Sequence, residues 1–142
     1  MPAITGNNTQ GPVCQHVGIF VDNLERVGRF YSALLGFVQK KEMTLDAKTM
    51  QGIFGVRRRA RVRYLERYGF GVELICFEKA RVRARKKRTA GLDHWTLLVQ
   101  DKDRFCVQLK KRKVPVIKVA RPLGFVYFIK DPEGNLIEVK NR

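Results

Sequence analysis

Residues 127–139 read YFIKDPEGNLIEV, and the reading of this stretch decides the fold. Asp131, Pro132, Glu133 and Gly134 are turn residues by chemistry: proline presets φ, an aspartate side chain caps nearby backbone N–H groups, and glycine tolerates positive φ. The apolar runs on either side are therefore two consecutive strands. In the second strand Glu138 stands between Ile137 and Val139. A carboxylate unpaired among such residues costs on the order of several kcal/mol unless a cation or hydrogen bonds compensate.

Working outward from that hairpin, VPVIKVA (114–120) is a further strand, and Pro115 ends the helix before it. That helix is DKDRFCVQLKKR (101–112), with Phe105 and Leu109 on its apolar side. Before it, DHWTLLVQ (93–100) alternates, with His94, Thr96 and Leu98 on one face and Trp95, Leu97 and Val99 on the other. The order is strand, helix and three strands.

The same order runs from residue 15. QHVGIFV places His16, Gly18 and Phe20 on one face of a strand and Val17, Ile19 and Val21 on the other. Asp22 or Asn23 then caps a helix with Leu24, Val27, Phe30, Tyr31, Leu34 and Leu35 at helical spacing, stopped by Gly36. FVQKKEMTL (37–45), IFGVRRRARVRYLE (53–66) and GFGVELICFE (69–78) read as three strands, the last after a Tyr68–Gly69 turn. The fold class predicted is α+β, two βαβββ modules. The division predicted is a tail at 1–14, modules at about 15–78 and 92–140, and a basic linker at 79–91.

His16 and His94 fall at equivalent places, each the second residue of its module's first strand. Glu73 and Glu138 both lie in last strands between apolar neighbours, in GVELI and NLIEV. A lone strand histidine is more often structural than a ligand, but both histidines of the chain and two carboxylates recur in register. Imidazole nitrogen and carboxylate oxygen without thiolate suit nickel, cobalt, zinc, manganese or iron(II). Cys14, Cys76 and Cys106 are far apart with no CxxC pair, so they read as ordinary thiols.

With 142 residues, 44% of them hydrophobic, the chain can bury one domain's core. It has no apolar run of about 18 residues, and its first residues lack a signal peptide's profile, which predicts a cytoplasmic protein without a membrane span. The net charge of +16 points to an anionic substrate, a nucleic acid, or solubility alone. Arg57, Arg58, Arg59, Arg61 and Arg63 crowd one strand, and seven of the ten residues from Lys79 to Arg88 are basic. Arg59, Arg61 and Arg63 share a face by alternation. They either clamp a carboxylate or phosphate of a substrate or form a solvated stripe. Basic residues interleaved with Tyr64, Tyr68 and Phe70 leave a nucleic-acid-binding module as the rival reading, without a recognised motif behind it.

The motifs HVGIFVDNLERVGRFYSALLGF, GVELICFE, DHWTLLV and YFIKDPEGNLIEV, in this order and spacing, resemble the vicinal-oxygen-chelate superfamily of glyoxalases, bleomycin-resistance proteins and dioxygenases. The resemblance implies a curved mixed sheet around a central cavity. It implies one divalent metal held by His16, Glu73, His94 and Glu138. It also implies a homodimer, sometimes with modules exchanged between chains. The complete two-histidine, two-glutamate set is similar to that of glyoxalase I and close to that of methylmalonyl-CoA epimerase, whose members remove a proton next to a carbonyl. That implies a lyase or isomerase acting on a small oxygenated substrate, with Glu138 first and Glu73 second as the catalytic base. Glutathione-using members carry arginine and asparagine where this chain has Phe20 and Phe77. These two aromatics are therefore expected to line a differently shaped substrate wall.

Overall fold

A computed structural model describes residues 14–82 and 90–142. The predicted tail except Cys14, and most of the basic linker, lie outside them. The first module runs β1 (His16–Phe20), α1 (Leu24–Arg29), β2 (Val38–Leu45), α2 (Ala47–Phe54), β3 (Ala60–Arg67) and β4 (Phe70–Phe77). The second runs β5 (His94–Val99), α3 (Lys102–Lys111), β6 (Val116–Arg121), β7 (Gly124–Lys130) and β8 (Leu136–Asn141). Each module forms its own four-stranded mixed sheet, in the orders β1-β4-β3-β2 and β5-β8-β7-β6. The first strand of each is parallel to the last, and the other neighbours are antiparallel. The fold is α+β and open.

The helix starts follow their caps. Asn23 accepts from Arg26 N and Asp101 from Arg104 N, both at 2.9 Å. Beyond Arg29 the first helix widens into a π turn, Phe30–Leu34, where Leu35 N–H reaches back five residues to Phe30 O. The β3–β4 hairpin turns on Tyr68 and Gly69, both at positive φ, the geometry that matches strand twist in a two-residue loop. In the 131–134 turn, Asp131 accepts from Glu133 N, Asn135 N and Asn135 Nδ2, which satisfies a buried carboxylate locally.

Val17, Ile19, Trp95, Leu97 and Val99 pack on the helix side of their sheets, as the alternation predicts. There the two modules share one core: Val21, Leu24, Val27, Tyr31 and Leu35 meet Cys106, Leu109, Ile129, Ile137 and Val139. The Tyr31 ring stacks on Trp95 at 6.2 Å. Glu133 in the β7–β8 turn accepts from Asp22 N and Asn23 N at 2.7 and 2.8 Å, tying that turn to the start of α1.

One element departs from the strand pattern. Residues 47–54 form helix α2, capped by Asp46 on Thr49 N and closed by Gly55 at φ 71. The apolar pair Ile53–Phe54 therefore ends a helix, and the strand predicted from residue 53 starts at Ala60. Asp46 and Gly55 are regular cap residues. The adjoining RRRARVRYLE run outweighs them in a reading by strand propensity.

Candidate metal centre

Parallel pairing sets Gly18 beside Glu73 and Thr96 beside Glu138. Because His16 and His94 lie two residues before those partners, each histidine shares a sheet face with its glutamate. His16 Nε2 lies 3.8 Å from Glu73 Oε2, and His94 Nε2 lies 3.7 Å from Glu138 Oε2. These separations are too long for hydrogen bonds. They are close to the roughly 3–3.5 Å between two ligands each about 2.1 Å from one metal ion.

The surroundings repeat as well. His16 Nδ1 lies 3.1 Å from Gln15 Oε1, and His94 Nδ1 lies 3.2 Å from Asp93 Oδ2. An acceptor there puts the ring proton on Nδ1 and leaves the Nε2 lone pair for an ion. On the third strand of each module an aromatic ring stands opposite the glutamate: Tyr64 pairs with Glu73 and Phe128 with Glu138. Each ring meets its histidine edge-on, at 5.7 Å for Tyr64 and 5.1 Å for Phe128. Tyr64 is folded over Gly71, where a Cβ would come within 2.4 Å of it, and its buried hydroxyl has no hydrogen-bond partner among the described residues. Burial and the neighbouring Glu66 and Glu73 push the Tyr64 hydroxyl above its ordinary pKa.

The two glutamates differ in their support. Glu138 is buried, accepts from Thr96 Oγ1 at 3.0 Å and lies 3.3 Å from Lys140 Nζ. Glu73 is half-buried, with His16 Nε2 at 3.8 Å. Thr96, Lys140, Tyr64 and Phe128 were not singled out as site residues by the sequence. Thr96 shares His94's face by alternation, and Tyr64 stood in the sequence pattern as a ring of the nucleic-acid reading.

Within one chain the two pairs stay apart. Among the described residues no three histidine, cysteine, aspartate or glutamate side chains lie where they could hold one ion. The donor types and spacings fit a metal as two half-sites, one on each sheet.

The arginine reading requires a correction. Arg61 and Arg63 pair in the β3 ladder with Cys76 and Leu74, on the helix face opposite His16 and Glu73. Arg63 is 8% exposed and gives its guanidinium to Glu25 at 2.7 and 3.1 Å, Glu42 at 2.9 Å and Leu24 O. Arg61 joins the same two glutamates, and Arg59 lies 3.8 Å from Glu78. These side chains neutralise acidic partners on the far face and form no clamp at the histidine–glutamate pairs. Tyr64 faces the opposite way from them, which breaks up the arginine–aromatic interleaving behind the nucleic-acid reading.

Phe20 and Phe77 do lie on the face of His16 and Glu73, stacked at 5.3 Å, and Phe54 of α2 meets Phe20 edge-on at 5.1 Å. Burial pushes the Cys106 thiol up to about 11, with Asp103 adding to it, and raises Cys76 too, so both are protonated near neutrality.

The family model described as Glyoxalase/Bleomycin resistance protein/Dioxygenase superfamily matches residues 14–139. The chain belongs to that superfamily. Among solved structures it is similar to the trypanothione-dependent glyoxalase I of Leishmania major, at 21% identity and TM-score 0.70, over 92% of this chain and 87% of that one. It is also similar to a glyoxalase family protein of Bacillus cereus, at 16% identity and TM-score 0.76, over 97% and 98%. A third is TnmS3, an antibiotic-binding protein of a Streptomyces species, at 19% identity and TM-score 0.63, over 94% and 98%. No curated protein sequence matches the chain.

Proposed function

We propose that this chain is a metal-dependent lyase or isomerase of the glyoxalase I or epimerase type, acting on a small oxygenated substrate. The observation that supports it is the repeated half-site: a histidine Nε2 and a glutamate oxygen at 3.8 and 3.7 Å, each backed by an acceptor on Nδ1 and an edge-on ring. His16 and Glu73 of one copy and His94 and Glu138 of another would complete a four-donor site for one divalent ion in a homodimer. An ion held by those four donors would supply Lewis acidity for the negative charge that develops when a proton next to a carbonyl is removed.

The two glutamates take different parts. Glu138, held by Thr96 and Lys140, is the fixed ligand. Glu73, more exposed and less tied, is the carboxylate able to take and return the substrate proton, which reverses the order expected from sequence. The arginine cluster is occupied elsewhere, so an anionic group on the substrate has no clamp in it.

Metal content by mass spectrometry, on protein purified without a tag or chelator, tests the proposal. Expected is about one ion per chain, lost in His16→Ala and in Glu138→Ala, whereas Glu73→Gln keeps more of it and loses turnover of 2-oxoaldehydes or acyl-CoA epimers by at least about a hundredfold. Protein that takes up no nickel, cobalt, zinc, manganese or iron(II) would instead resemble a metal-free ligand binder.

A further inference from the structure

We infer that Phe20, Phe77 and Phe54 form an apolar specificity wall that takes an aryl or branched-alkyl tail of the substrate; this rests on the proposed metal-binding function of the adjoining pair. Phe20 lies four residues beyond His16 on β1, and Phe77 four beyond Glu73 on β4, so both stand on the ligand face. Four strand rises put them roughly 13 Å along the sheet from the histidine and glutamate. Between the two sites lies Gly18, where an added Cβ would find just Ile75 Cδ1, at 3.8 Å. Gly18 therefore puts no side chain between the His16–Glu73 pair and the aromatic rings, and Ile75 packs beside it.

The aromatic wall is completed by the element that the sequence pattern did not predict. Helix α2 lies across this end of the sheet, burying Met50 with Ala60, Val62 and Ile75. Met43 and Leu45 of β2 pack against the same cluster. Phe54 closes it against Phe20 yet keeps 38% of its surface exposed, and Phe20 and Phe77 are half-buried. Three rings in stacked and edge-on contact, with accessible faces, offer a flat apolar group the partners it loses on leaving water. A peptide-like or anionic tail would be desolvated there without a hydrogen-bond donor from these side chains. The substrate class is therefore a chelating oxygenated head joined by a short spacer to an aryl or branched-alkyl group.

Two hydroxamates, which chelate divalent ions through two oxygens, test this on protein loaded with zinc or nickel. Calorimetry is expected to show 3-phenylpropanohydroxamate binding at least about tenfold more tightly than acetohydroxamate. In Phe54→Ala and Phe77→Leu the preference should fall to about threefold or less, with acetohydroxamate affinity unchanged. Equal affinities for the two probes, or a preference untouched by both variants, would overturn the wall and leave the metal proposal standing. If neither hydroxamate binds, the metal proposal fails and the metal-free protein decides the wall. Saturation transfer from protein to the phenyl protons of 3-phenylpropan-1-ol, lost in Phe54→Ala, supports it; its absence from the unmodified protein overturns it.

Discussion

Arg63 shows how a basic side chain can be consumed by the fold. Its guanidinium sits beneath α1 against Glu25, Glu42 and a main-chain carbonyl, and Gly28 leaves room for it: a Cβ at residue 28 would come within 2.7 Å of Nη1. Hydrogen bonds from Arg63 to Glu25, and from Arg61 and Arg63 to Glu42, hold both carboxyls below their ordinary value of 4.5. A carboxyl whose pKa falls on folding contributes stability above its unfolded pKa and loses it as pH drops through the folded one. Arg63→Ala should therefore cost about 2–3 kcal/mol at neutral pH, through lost hydrogen bonds and lost packing of the side-chain stem. The deficit, read from urea midpoints, should narrow as the pH falls below the ordinary carboxyl value of 4.5 and both glutamates come to be protonated in the parent protein. A deficit constant from pH 7 to 3 would assign Arg63 a packing role alone. Gly71 makes a similar case at the proposed metal centre. Gly71→Ala drives a Cβ into the Tyr64 ring and should displace that ring from His16. Metal affinity should fall by about tenfold, with Gly71→Ser no better; an unchanged affinity would remove Tyr64 from the site.

Among the elements, α2 carries a testable consequence of its own. Gly55 ends it at φ 71 with nothing within 4 Å of an added Cβ, so Gly55→Ala pays for conformation and not for a clash. A loss of about 1 kcal/mol in urea unfolding is expected. A larger loss would mean that the helix end is held by contacts. How much of this was legible in the sequence varies by element for physical reasons. The eight strands, α1 and α3 have alternation or helical spacing and regular cap residues, and they follow the expected order. Helix α2 is short, and its Ile53 is exposed while Met50 is buried, so its apolar residues make no long stripe. At the site, the duplicated unit made His16 equivalent to His94 and Glu73 to Glu138, and the family resemblance grouped them as ligands; it is the parallel pairing of first and last strands that sets each histidine beside its glutamate. Alternation put Arg59, Arg61 and Arg63 on one face of their strand and Tyr64 on the other. Which of those faces carries the histidines depends on the β3–β4 register, which sets Tyr64 opposite Glu73, and Arg61 and Arg63 opposite Cys76 and Leu74.

At the scale of the whole molecule the two sheets share a helix-side core, and each presents its own histidine–glutamate pair on its other face. Among the described residues, β1 and β5 stand at an edge of their sheets, the first of each sheet order. A homodimer that exchanges modules makes two mixed sites, each with the first pair from one copy and the second pair from the other. Complementation separates that arrangement from a site within one chain. A variant carrying His16→Ala and Glu73→Ala lacks the first pair, and one carrying His94→Ala and Glu138→Ala lacks the second. Each alone should bind no metal. Co-expressed at equal levels, they form mixed dimers in which one site has all four donors and the other has none, so metal content should recover to about a quarter of that of the parent protein. Activity should return in the same proportion, with a sedimentation coefficient of a dimer throughout. Two inactive variants that stay inactive together, though they co-sediment as a mixed dimer, would place any complete site within a single chain and remove the second copy from the chemistry.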